Sequence, residues 1–307
     1  MSSAWVAASV RGRALARRRL GAAGARQIAA AGSLAEAVAM LAESSYGHDV
    51  RSADSVAQAQ HAVGATLLWH VRVLGGWVPR SGTAGLRALA AAFEIANVDE
   101  HLRLLQSEPA GPTFRLGSFA TAWPRLVETT SRRDLREVLT TSAWGDPAGE
   151  GERTIRMYLR MSWAARVSRT VPMAQVWMAG AAALLVGRER LVAERSLPES
   201  VVRTAVPMLG VDWVDQHGVG SLREALPVSA RWVLDGIGEP AELWRAEAAW
   251  WRRVEHDAFA HLSGSSFDME PTVAALAVLA VDAWRVRAAL ETAGGHPEGL
   301  ELFDAVA

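Results

Sequence analysis

Apolar residues recur along this chain at spacings of three and four, and the strict alternation of a half-buried strand is scarce. Within "FEIANVDEHLRLL", Ile95, Val98, Leu102 and Leu105 fall on one helical face. Within "ELWRAEAAWWRRVEHDAFAHL" (242–262), Leu243, Trp250, Trp251, Val254, Ala258 and Leu262 form one stripe, with Arg and Glu opposite. The most apolar run, "VPMAQVWMAGAAALLVG" (171–187), is shorter than the ~20 residues that cross a bilayer. It also holds Pro172 and Gln175, which predicts a buried helix. Gly and Pro break the pattern at 75–76, 109–112, 145–151, 198, 218–220, 236–240, 264 and 294–295. The pattern predicts an all-α chain with no low-complexity linker.

The helical pattern repeats at long range. "SLAEAVAMLAESSYG" begins at Ser33 and "SRRDLREVLTTSAWG" at Ser131, 98 positions later. Leu41 aligns with Leu139, Ser44 with Ser142, Tyr46 with Trp144 and Gly47 with Gly145. Both stretches open with a capping box, Ser33 with Glu36 and Ser131 with Asp134. A third such pair, Ser221 with Glu224, lies 188 positions after the first, and Leu226, Ser229 and Trp232 follow it. The same offset of 188 carries Glu94, Val98 and Leu102 onto Asp282, Val286 and Leu290. The middle copy of this second motif is eroded, since "GRERLVAERSL" (187–197) lacks the pattern. These echoes predict three helical units over 1–116, 117–210 and 211–307. They also predict that Tyr46 and Trp144 are equivalent half-buried anchors, each followed by a turning Gly.

Charge and composition narrow the function. The 307 residues carry 32 basic and 33 acidic side chains, every basic one an Arg. That balance argues against a nucleic-acid footprint, which needs a clear basic excess. Without Cys there is neither a disulfide framework nor a thiol nucleophile. At the N-terminus the arginines follow the apolar stretch, whereas a secretory leader has them before it. Thirteen Trp in an Ala-rich chain read as core filling, because small residues leave space that large rings occupy. Arg11, Arg13, Arg17, Arg18 and Arg19 form the one basic cluster and are the candidate contact for an acidic partner or lipid headgroups.

Catalytic and metal motifs are absent. There is no H-E-x-x-H, no Glu three residues before a His, no D-D-x-x-D, no G-x-S-x-G and no phosphate loop. Asp257 with His261, and Asp212, Asp215 and His217, are loose groupings short of three well-spaced ligands. The expectation is no catalytic residue, cofactor, metal or nucleotide held by this chain.

In order, the chain presents an arginine-rich first helix with Arg11 and Arg13, then the Leu41, Ser44, Tyr46 segment. A helix with Glu94, Asn97, Val98 and Arg103 follows. This order resembles the start of the V-type and A-type ATPase central-stalk subunit, called C in prokaryotes and d in vacuoles. "LGSFATAWPRLVE", "SRRDLREVLTTSAWG" and "AVDAWRVRAALETAGG" follow in family order, the last with Arg285 where the family has Asn. The resemblance implies a cup of three pseudo-threefold-related helical units. It implies a non-catalytic socket that couples a rotor shaft to a membrane proteolipid ring during ion transport. It further implies a cytoplasmic protein, peripheral to the inner face of a membrane and monomeric when isolated. The alternatives are a free-standing diverged adaptor that kept the fold and an all-α enzyme with a Trp-lined pocket.

Overall fold

The computed structural model describes residues 3–51, 53 and 55–295, and no strand occurs among them. The outer ends of the first and third predicted units, 1–2 and 296–307, lie outside the described residues. The chain divides into two compact units, one formed by 1–83 with 251–307 and the other by 84–250.

In the first unit, helices α1 (Ser3–Arg17), α2 (Gly21–Ala29), α3 (Leu34–Ala42) and α4 (Val56–Gly75) are followed by the start of α5 (Arg80–Leu104). From 251 the unit continues with the rest of α13 (Leu243–Ser263) and with α14 (Met269–Ala293). Helix α14 is its axis and packs against α1, α2, α3 and α4. Its sequence is apolar on nearly every face, as a helix surrounded by others must be. Ala283, Val286, Ala289 and Leu290 meet Ile28, Val38, Leu41, Val50 and Val63 in one core. Close approach of α1 to α14 needs Gly12, where a Cβ would lie 3.2 Å from the Ala275 Cβ.

The second unit runs through α5, α6 (Trp123–Leu126), α7 (Arg132–Thr140), α8 (Glu152–Thr170), α9 (Gln175–Gly187) and α10 (Glu199–Leu209). Short helices α11 (Val219–Ala225) and α12 (Val228–Arg231) precede the first part of α13. Leu126, Leu135, Leu139, Ile155 and Leu159 join Val98 and Leu102 of α5 in one core. The apolar run at 171–187 is α9 with a 3-10 turn before it, and most of it is buried, as its composition predicts. A π-helical turn, Arg188–Val192, continues it.

The offset of 188 reappears in the helix boundaries. Moved by that offset, α4 and α5 reproduce α13 and α14 to within one residue at every end.

One buried ring in the first unit carries a pH signature. His70 on α4 is 9 % exposed and its Nδ1 has no hydrogen-bond partner. Burial, then the neighbouring His48 and Arg18, pull its pKa down to about 4, with Asp49 partly opposing. Between the ordinary histidine range and about 4, the unfolded chain binds a proton here that the folded chain refuses. Stability therefore falls as pH drops through that window, by up to about 3 kcal/mol from this ring. In His70→Leu that part of the acid limb is expected to vanish. Urea melts of both proteins from about pH 7 to about pH 4 measure it, and parallel acid limbs would refute the assignment.

Candidate functional site

The acids and aromatics that echo along the sequence meet in space, in crossed pairs. On α14, Asp282 is 1 % exposed. It accepts the Tyr46 hydroxyl (3.0 Å) and the backbone N–H groups of Leu20 (3.0 Å) and Gly21 (2.7 Å). On α5, Glu94 is wholly buried. It accepts the Trp144 indole N–H (2.8 Å) and the backbone N–H groups of Thr121 (2.5 Å) and Ala122 (2.8 Å). Each carboxylate thus gathers one aromatic donor and two consecutive backbone donors where a short helix begins, α2 in one case and α6 in the other. Those amides are the groups a helix leaves without internal partners, and their dipoles favour an anion.

The turn that presents each aromatic ring is built identically. After α3, the Ser44 hydroxyl donates to the Leu41 carbonyl (2.7 Å) and accepts from the Tyr46 N–H (3.2 Å). After α7, Ser142 does the same with Leu139 (2.7 Å) and Trp144 (3.1 Å). A hydroxyl from the following long helix closes each turn. Thr66 on α4 donates to the Tyr46 carbonyl (3.4 Å), and Ser162 on α8 donates to that of Trp144 (3.1 Å). Neither following glycine tolerates a Cβ. At Gly47 it would lie 2.1 Å from the Ala42 carbonyl oxygen, and at Gly145 it would lie 2.6 Å from the Tyr158 hydroxyl.

Burial and the Asp282 charge raise the Tyr46 pKa well above its ordinary value, so the phenol stays a donor. The Trp144 face carries the Arg166 guanidinium 4.7 Å from its centroid. Burial lowers the Arg166 pKa, and Glu94 acts the other way. With three donors each, Asp282 and Glu94 are structural anions that tie distant segments together.

The capping serines divide. Ser33 accepts from the Glu36 N–H (3.2 Å) and Ser131 from the Asp134 N–H (3.1 Å), as the motif predicts. Glu36 reaches back to Gly32, one residue beyond the first amide (2.8 Å), and Asp134 to the Thr130 hydroxyl (3.2 Å). The third box is a correction. Helix α11 starts at Val219 with Gly218 as its N-cap, so Ser221 lies inside it and donates to the Gly218 carbonyl (3.2 Å). Glu224 is exposed on that helix and caps nothing. A second correction concerns Tyr46 and Trp144, which are buried rather than half-buried, at 4 % and 2 % exposure.

Asn97 and Arg285 hold equivalent positions but do different work. The Asn97 amide grips the Phe114 backbone at both its N–H (2.6 Å) and carbonyl (2.8 Å). Arg285 forms a two-pronged pair with Glu255 on α13 (2.5 and 2.6 Å). The basic cluster also splits. Arg13 donates to the carbonyls of Leu262 (2.9 Å), Gly264 (2.7 Å) and Ser266 (3.1 Å), completing the C-terminal end of α13. Arg19 covers the Phe259 ring at 4.6 Å. Arg11, Arg17 and Arg18 remain exposed.

The loose metal candidates are separated by their own pairings. Asp257 is bound to Arg253 (2.8 Å) and His261 to Glu270 (3.0 Å). Asp212, Asp215 and His217 are all exposed. Among the described residues no group of three or more His, Cys, Asp or Glu is placed to hold a metal ion.

Sequence reasoning missed the place where α9 meets Trp232. A Cβ on Gly180 would lie 2.8 Å from the Trp232 ring and 3.0 Å from that of Trp250. Trp250 donates its indole N–H to the Trp177 carbonyl (2.7 Å), and Trp232 donates to the Ser229 carbonyl beside it (2.9 Å). Counting back from the aromatic residue gives the only available signal. Glu94 precedes Trp144 by 50 positions and Gly180 precedes Trp232 by 52.

A comparison with protein-family models finds no match, and a search of curated proteins finds no significant relative.

Truncating either anion leaves three buried or part-buried donors without their acceptor. Glu94→Ala and Asp282→Ala are each expected to cost about 3 kcal/mol or more, and Tyr46→Phe about 2 kcal/mol. Ser221→Ala should stay within about 0.5 kcal/mol. Denaturant midpoints order the four variants, and a Ser221→Ala loss equal to that of Glu94→Ala would reverse the ranking of the two motifs.

Proposed function

We propose that this chain is the non-catalytic central-stalk socket of a rotary V-type ATPase, seating the rotor shaft on the membrane proteolipid ring. The observation that carries the reading is the crossed clasp. The residues that bear the resemblance, Tyr46, Glu94, Trp144 and Asp282, are the ones that fasten the helices. A stack of three related helical units would use such a fastening once per unit. The contact of Trp232 with Gly180 supports a third copy, in which glycine stands in place of the acid and the ring fills the space. On this reading the three units form a cup, peripheral to the cytoplasmic face of the membrane. A socket needs stiffness, which close packing supplies, and needs no reactive group.

The supporting features fit a structural part. Each of the two buried carboxylates accepts three hydrogen bonds from donors of the fold itself, which commits both to holding helices in place. A free-standing adaptor that kept the fold is the second reading, and the same clasps favour it equally. Affinity purification of the tagged chain from its native membranes separates the two. Catalytic and proteolipid subunits of a V-type ATPase should accompany it in fixed ratio. Recovery of the folded chain without them would overturn the socket reading in favour of the adaptor. Calorimetric titration with magnesium-ATP is expected to show no binding by the isolated chain, and micromolar binding would put an enzyme first.

A further inference from the structure

The N-terminal helix has one face that the fold uses and one that it leaves open. Ala8, Ser9, Gly12, Leu15 and Ala16 of α1 are buried. Ser3, Val6, Val10, Arg11, Ala14, Arg17 and Arg18 are exposed and fall within an arc of roughly 140° at 100° per residue. Val6 and Val10 are 37 % and 57 % exposed, and with Ala14 they form a thin apolar stripe along one side of that arc. Arg17 lies within the stripe, and Arg11 and Arg18 border it. Among the described residues the side chains of these three arginines have no ion-pair or hydrogen-bond partner. Arg13 and Arg19, by contrast, are committed to carbonyls and a phenyl ring.

The electrostatics of this segment differ from those of the whole chain. Six arginines, at 11, 13, 17, 18, 19 and 26, precede Glu36, the first acidic residue. A net charge of −1 for the full chain therefore conceals a strongly positive first segment. Arg26 of α2 is exposed as well.

We propose that the outward face of α1 is a contact for the anionic headgroups of a lipid bilayer. Several arginines grouped on one amphipathic helix are the arrangement that holds acidic headgroups, and each planar guanidinium fork matches a phosphate or carboxylate. The apolar stripe is made of Val and Ala. It lacks the aromatic or Met anchor around which a tight protein interface is built. The aromatic ring that α1 itself carries, Trp5, is turned toward Gly82, where a Cβ would lie 2.5 Å from it. The contact is therefore shallow and electrostatic, with Val6 and Val10 at the headgroup boundary. The proposal rests on the peripheral-membrane part of the reading above and not on assembly into an ATPase.

The test is co-sedimentation of the purified full chain with vesicles of phosphatidylcholine, alone or with roughly 30 mol% phosphatidylserine. Wild type is expected to sediment with the acidic vesicles only. The bound fraction should fall when NaCl rises from about 0.05 M to about 0.3 M, because screening shortens the reach of exposed charge. The triple variant Arg11→Gln, Arg17→Gln, Arg18→Gln should bind at least about tenfold more weakly with an unchanged melting temperature. Arg13→Gln should do the reverse, lowering the melting temperature while leaving sedimentation intact. Wild type remaining in the supernatant at low salt, or a triple variant that sediments like wild type, would overturn the proposal. So would loss of a protein partner, but not of lipid, in the triple variant, which would assign the face to an acidic protein. Should the triple variant misfold, Arg17→Gln and the salt series on wild type decide. None of these outcomes bears on shaft binding, which is measured without lipid.

Discussion

A carboxylate inside a helical core must be given donors, and this fold is organised around two such obligations. Removing an ion of that size from water costs several kcal/mol unless hydrogen bonds replace the lost solvation. Asp282 and Glu94 each receive three. For Asp282 the donors lie 236 to 262 positions away in sequence, so satisfying it brings the two ends of the first unit together. For Glu94 they lie 27 to 50 positions away, so the same chemistry closes a much shorter stretch. One local requirement thus sets topology on two scales.

The clasps also explain why the surrounding residues take the forms they do. An aromatic donor must arrive at a fixed height above the long helix. The serine two residues earlier fixes that height by bonding both the preceding carbonyl and the aromatic N–H. The glycine that follows lets the chain leave past an obstructing backbone or hydroxyl oxygen. A hydroxyl on the next helix donates to the aromatic carbonyl and ties the turn to that helix, beside the Val50 N–H at Tyr46 and the Tyr158 hydroxyl at Trp144. Tyr46 and Trp144 differ in size and chemistry, yet each offers one donor at the edge of a large ring. That shared property is what the position requires.

The all-α fold class and the equivalence of these positions were legible in the sequence, because helical period and constant offsets can be read from a single chain. The bonds between them were not. Aligning Tyr46 with Trp144, and Glu94 with Asp282, says which residues correspond. It does not say that each ring reaches an acid outside its own aligned stretch, since a long-range hydrogen bond leaves no local period. The capping box at Ser221 misled for a local reason. Gly218 is extended and starts α11 three residues early, and Pro227 forces Leu226 out of helical geometry. Arg13 was legible as a charge but not as the completion of another helix, because its carbonyl partners are about 250 positions away. Gly180 was legible only as a spacing from Trp232, because an absent side chain has no pattern of its own to align.

The difference between the clasps and the contact at Gly180 is one of directionality. Hydrogen bonds to a carboxylate weaken steeply when their geometry is disturbed, so they fix the angle between a turn and a helix. Apolar contact is non-directional and rewards proximity alone. Trp232 therefore keeps α12 close to α9 while its indole N–H bonds to its own turn, at Ser229. Tyr46 and Trp144 bring orientation as well as proximity. If the chain is a socket, torque transmitted through the two clasped places meets a stiff angular restraint, and the place at Gly180 is where the restraint is one of distance. An acid placed at position 180 would not reproduce the clasp. At 2.8 Å a Cβ already overlaps the ring, so the glycine and the tryptophan are complementary in shape, whereas the two clasps are complementary in hydrogen bonding.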